Sequence, residues 1–110
     1  MKEVIMTPGT HVEYETTSKS IIFGDEDLSI NLKNRERDEK VLIDICTDEN
    51  KELTMGTAAG LKYVAQVEIP ARQYTEEEGE PDEDGRPTTI YVPVAFDIDN
   101  CTIYLWGMED

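Results

Sequence analysis

The sequence predicts an all-β protein, or a β-rich α+β protein with at most one short helix. Three observations carry this expectation. Apolar residues recur in short runs with a period of two, as in half-buried strands. Gly, Pro and acidic turn signals interrupt those runs at close intervals. No segment keeps a period of 3.6 long enough for a convincing helix. About seven to eight short strands in one domain suggest a sandwich or a partly open barrel. Most gaps between runs are too short for the crossovers that parallel strands need, so the pairing should be mainly antiparallel.

Residues 3–6 give a short apolar start, stopped by Pro8 and Gly9. Val12, Tyr14 and Thr16 alternate with His11, Glu13 and Glu15, the first set facing inward. Ser20–Phe23 is a brief apolar run. Gly24 to Asp27 form a tight acidic turn. Leu28, Ile30 and Leu32 then alternate with polar residues in a second half-buried strand. The charged stretch 34–39 leads into Lys40–Thr47, with Val41, Ile43 and Ile45 on one face and Leu42, Asp44 and Cys46 on the other. Residues 48–51 end that strand. Residues 52–60 allow one short helix or an irregular loop, because Gly56 and Gly60 weaken any longer helix. Over Lys62–Ile69, Tyr63, Ala65, Val67 and Ile69 share a face, and Pro70 ends or kinks the strand.

Residues 75–87 hold seven acids, two Gly and two Pro among thirteen positions. This composition reads as a solvated, mobile loop inserted in the single domain 1–110, and as dispensable for folding. Thr88–Phe96 and Cys101–Trp106 are strand-like runs around the polar turn 97–100. They suggest a β-hairpin that supplies the core with Trp106, Tyr104 and Phe96.

The net charge of −15, from 25 acids and 10 bases, is the outlying property. Such a surface repels nucleic acid and anionic lipid and attracts basic proteins. No run approaches a membrane span, and the first residues lack the apolar core of a signal peptide. A cytoplasmic protein is the expectation, with Cys46 and Cys101 as buried free thiols that could oxidise only if their strands are neighbours.

The motifs of catalysis are missing. One histidine, His11, lies on a polar strand face, and no serine sits in a nucleophile elbow. Asp44 is the one acid in an apolar setting, where a structural partner is the plainer reading. One His and two distant Cys cannot close a zinc site. Residues 25–36 partly mimic a calcium loop, but Ile30 stands where the turn needs Gly. No phosphate-binding glycine loop is present. The expectation is therefore a non-enzyme without metal or cofactor.

The favoured function is a small acidic protein-binding module whose partner has a basic surface. Its most specific version is an inhibitor that mimics nucleic acid, of the kind phage or mobile elements use against host defence. Same-face strand carboxylates recur at about 6.6 Å, comparable to a phosphate row. The candidate partner-binding acids are Glu13 and Glu15 on a strand and Asp25 and Asp27 at a turn. Glu76, Glu77, Glu78, Glu80, Asp82, Glu83 and Asp84 add the loop. The alternative is a structural subunit of a homo-oligomer or larger assembly, such as a phage particle component, held together through short edge strands. Lys33, Arg35, Arg37 and Lys40 form the single basic cluster. Interspersed acids favour a solvated hairpin end there, with an anion or acidic partner surface as the sharper alternative.

Overall fold

A computed structural model describes residues 1–48, 52–56 and 62–108. Its strands are β1 (Lys2–Ile5), β2 (Tyr14–Thr16), β3 (Ser20–Phe23), β4 (Leu28–Asn31), β5 (Val41–Thr47), β6 (Leu53–Met55), β7 (Lys62–Ile69), β8 (Tyr74–Glu78), β9 (Thr89–Pro93) and β10 (Thr102–Leu105). Among the described residues, helix is confined to two single 3-10 turns, Lys33–Arg35 and Ile98–Asn100. The protein is all-β, with more and shorter strands than the alternation suggests.

The strands form three sheets. The largest runs β1-β10-β7-β5-β6, the second β2-β3-β4, and the third is the pair β8-β9. All pairings are antiparallel except β1 with β10. That exception joins the two ends of the chain, so almost the whole domain serves as its crossover. The inner face of the five-stranded sheet contributes Ile43, Ile45, Ala65, Val67, Ile69, Ile103 and Leu105 to the core. Ile21, Phe23, Ile30 and Leu32 come from the β3–β4 hairpin and its exit. These apolar faces cover each other in the two-layer arrangement a sheet with one apolar side requires.

The structure corrects four expectations. Residues 88–96 do not pair with 101–106. Run 89–93 pairs with β8, and β10 lies between β1 and β7. The cause lies in the turn: Asp97 caps the 3-10 turn by accepting from the Asp99 amide at 2.9 Å, and Ile98 is buried. The chain is thereby drawn into the core between the two runs rather than folded back on itself. Second, the run 88–96 does not supply the core along its length, since Ile90 and Val94 are exposed. Third, residues 75–78 belong to a strand and not to a loop. Fourth, Tyr63 leaves the face of Ala65 and Val67. The register between β5 and β7 shifts at Val64, whose extra residue in the ladder is buried beside Ala65. Tyr63 therefore points to the outer face, where its ring meets half-buried Trp106 at 5.5 Å between centroids.

Residues 53–55 form strand β6 where a helical turn or loop is the expectation; residues 49–51 and 57–61 lie outside the described residues. Cys46 and Cys101 are buried free thiols. Cys46 lies on β5 and Cys101 just before β10, with β7 between those strands, and two strand spacings amount to about 9.5 Å, beyond the reach of a disulfide.

Candidate functional site: the hairpin arm and its base

The molecule measures 68 × 26 × 23 Å, and the β8–β9 hairpin forms a sheet of its own. Nine residues run from Tyr74 to the turn at Asp82 and reach at most about 30 Å at the usual strand rise. Among the described residues no third strand joins this pair, and none of its own residues is buried. Isolated two-stranded hairpins are marginal in water, so the arm depends on its two ends.

The far end is closed by side chain and backbone together. Asp82 Oδ1 accepts from the amides of Asp84 at 3.0 Å and Arg86 at 2.8 Å, and Gly85 adopts φ 77° to complete the turn. The sequence Asp84-Gly85 suits that turn because glycine enters the left-handed region without penalty.

The near end is clamped to segment 36–38. Arg72 Nε lies 3.3 Å from Glu36 Oε1, Nη1 3.2 Å from Asp38 Oδ1, and Nη2 donates to the Glu36 carbonyl at 3.1 Å. The Arg72 amide donates to the Arg37 carbonyl at 2.8 Å, and the Tyr74 hydroxyl donates to Asp38 Oδ1. A pocket of about 20 Å³ beneath the clamp, bounded by Glu36, Pro70, Val94 and Phe96, has room for a single water. It is too small for an organic ligand.

The basic cluster sits at this base. Arg37 spends its guanidinium on the carbonyls of Asn34 and Glu36, and Lys40 lies 3.9 Å from Glu68. Lys33 and Arg35 are exposed, and neither has an ion-pair partner among the described residues.

The arm presents Tyr74, Ile90, Tyr91 and Val94 to solvent, Tyr91 at 65% of full exposure. In the register, Glu77 stands opposite Ile90 and Glu76 opposite Tyr91. One strand is thus acidic and the other apolar. An exposed apolar strand of this kind is the type of surface that marks a protein contact.

The candidate acids divide into two groups. Glu13 and Glu15 line an open groove between β1 and β2, together with Glu3, His11 and Tyr14. The turn carrying Asp25 and Asp27 lies beside it, since the Gly24 amide donates to the Glu13 carbonyl at 2.8 Å. Glu76, Glu77 and Glu78 stand on β8, and Glu80, Asp82, Glu83 and Asp84 on the arm's tip. The Gly24–Asp27 turn and the exit at Leu32–Lys33 occupy opposite ends of the β3–β4 hairpin, and the latter leads to the clamp. The structure therefore places the two groups apart.

In the groove the Tyr14 hydroxyl donates to Glu3 Oε2 at 2.7 Å. Burial, then the Glu3 carboxylate, pushes the Tyr14 phenol up to about 12. His11 Nε2 donates to the Thr7 carbonyl at 2.7 Å. Neither cysteine lines this groove. Asp44 accepts from Gln66 Nε2 at 2.8 Å on the outer face of the five-stranded sheet, away from His11. Burial raises both thiols, Cys101 to about 11. Among the described residues, no cluster of three His, Cys, Asp or Glu could hold a metal ion, and no helix is long and apolar enough to cross a membrane.

The arm is the feature that sequence reasoning missed. The seven acids hide the alternation of strand β8, but Tyr74-Thr75 before them and Asp84-Gly85 after them are a strand start and a hairpin turn signal. No family model, curated protein or solved structure matches this chain.

Proposed function

We propose that this protein is a structural subunit that joins an assembly through its β-hairpin arm. The observation that carries this reading is the arm itself. It projects from the body and exposes Ile90 and Tyr91, and nothing among the described residues covers them. A body of two packed sheets holds it in place through the Arg72 clamp, so the device is a firmly mounted arm rather than a catalytic cleft. A photoreactive amino acid at position 91, introduced into the protein in its native cells, tests this. Covalent capture of a protein neighbour, abolished when the same probe sits at exposed Ser29 on the body, is the expected result. No adduct at position 91 overturns the reading.

A second reading, a nucleic-acid-mimicking inhibitor, draws support from one observation. Glu3, Glu13 and Glu15 line a single groove with Asp25 and Asp27 alongside. It predicts a basic partner that binds less tightly as salt rises and is displaced by nucleic acid. Neutralising Glu13 and Glu15 together should weaken that partner's binding without unfolding the body.

A further inference from the structure

We infer that the arm's partner is a second copy of this chain, and that two arms lie antiparallel across a two-fold axis at Tyr91, β9 against β9. This rests on the assembly reading and names its partner. The first argument is backbone direction. The Val94 amide donates to the Gln73 carbonyl and the Gly79 amide to the Thr88 carbonyl. Successive residues of an antiparallel strand bond to opposite sides. Residues 88, 90, 92 and 94 therefore bond toward β8, and the amides of Thr89 and Tyr91 point outward. Pro93 has no amide to offer, but its carbonyl points outward with them. Pairing Tyr91 with its own copy sets Thr89 opposite Pro93 of the second copy, so the Thr89 amide finds that carbonyl. Every outward donor of β9 is then satisfied.

The second argument is side-chain chemistry. The other edge of the arm, β8, carries Glu76, Glu77 and Glu78, and pairing it with itself would stack like charges. The β9 edge brings Ile90, Tyr91 and Val92 together.

The third argument is charge. Each arm is acidic at its tip, with Glu80, Asp82, Glu83 and Asp84, and has the basic segment at its base, with Lys33 and Arg35 exposed and without an ion-pair partner among the described residues. Antiparallel arms carry each acidic tip to the other copy's basic base. A two-fold axis makes this contact twice. The same arrangement explains why four of the ten bases of a strongly acidic chain gather beside the arm.

The test uses the full chain. Sedimentation should show a dimer for the wild type. Tyr91→Pro should shift it to monomer with the thermal melt of the body kept, because the Tyr91 amide makes no bond within the arm. Tyr91→Cys should form a disulfide-linked dimer under mild oxidation, since facing residues of a hydrogen-bonded pair lie about 5.5 Å apart between Cα atoms, within disulfide range. Glu76→Cys, on the opposite edge, should not. Reversing Lys33 and Arg35 to Glu should weaken the dimer at least tenfold, and reversing Glu83 and Asp84 to Lys in that background should restore it. A wild type that stays monomeric, or a Tyr91→Cys chain that resists cross-linking, overturns the inference. If the photoprobe at position 91 then captures a different protein, the assembly reading stands alone; if it captures nothing, both fall.

Discussion

Arg72 holds Glu36 and Asp38 at once, through Nε at 3.3 Å and Nη1 at 3.2 Å, and so ties the root of the arm to a segment 34 to 36 residues earlier in the chain. Arg72→Ala should loosen the arm without unfolding the body. Exposed ion pairs contribute little to stability, so the melting temperature should fall only slightly. Amide exchange at 74–93 should rise clearly while exchange in β7 and β10 stays slow. Equal acceleration in both regions would show that the clamp supports the whole domain.

Much of the body was legible because its strands are patterned. Ile30 and Leu32 alternate with Ser29, Asn31 and Lys33, and both are buried. The same logic failed where something other than alternation decides. The bulge at Val64 changes the face of Tyr63, and a bulge leaves no mark in the apolar pattern. Ile90, Tyr91 and Val92 look like core residues, because a pattern reports what could be buried and not whether anything arrives to bury it. The pairing of β9 with β8 was hidden by the acids of β8, which are poor strand formers and here face solvent. Glu13, Glu15, Asp25 and Asp27 do come together, while the arm acids stand elsewhere, and only the three-dimensional path could separate them.

Gly107 closes the end of the domain where β1 and β10 meet. A Cβ added there would overlap the Pro8 carbonyl oxygen, which is backbone and cannot rotate away. The Gly107 amide also donates to Thr7 Oγ1 at 2.6 Å, so the approach is fixed from both sides. Gly107→Ala should destabilise by about 1–3 kcal/mol, the usual range for overpacking. Gly85→Ala, where no atom lies within 4 Å of the new methyl, makes the contrast: its cost is the left-handed backbone alone, in the arm's tip. Urea denaturation followed by Trp106 fluorescence should register the first substitution strongly and the second weakly.

Alkaline pH should weaken the fold in two steps. Burial raises the Cys101 thiol from 9.0 to about 11, and burial with Glu3 raises the Tyr14 phenol from 10.0 to about 12. Both groups are neutral when protonated, and the folded state favours that form. Their stabilisation is complete below the unfolded values and is lost as pH rises through the folded ones. Stability should therefore fall from about pH 9 to 12. Tyr14→Phe should remove the upper part of that fall, between 10 and 12, and leave the lower part. An unchanged profile in Tyr14→Phe would show that Tyr14 is solvated.

Removing the arm should leave the body folded. The hairpin contributes no buried residue to the core, and its root is held by surface bonds and by half-buried Phe96, which lies outside it. A chain with residues 75–92 replaced by a short Gly-Ser connector keeps Arg72, Tyr74 and the clamp. It loses seven acids and one base, so the net charge falls from −15 to −9, which lessens self-repulsion. The melting temperature should stay within about 8 °C of the parent, the shift that 1 kcal/mol produces in a domain of this size. The shortened chain should also sediment as a monomer at concentrations where the parent is dimeric. A larger thermal loss would mean that the arm packs on the body in solution. Retained dimerisation would place the contact on the body instead, with the open edges of β1 and β2 as the next surfaces to substitute.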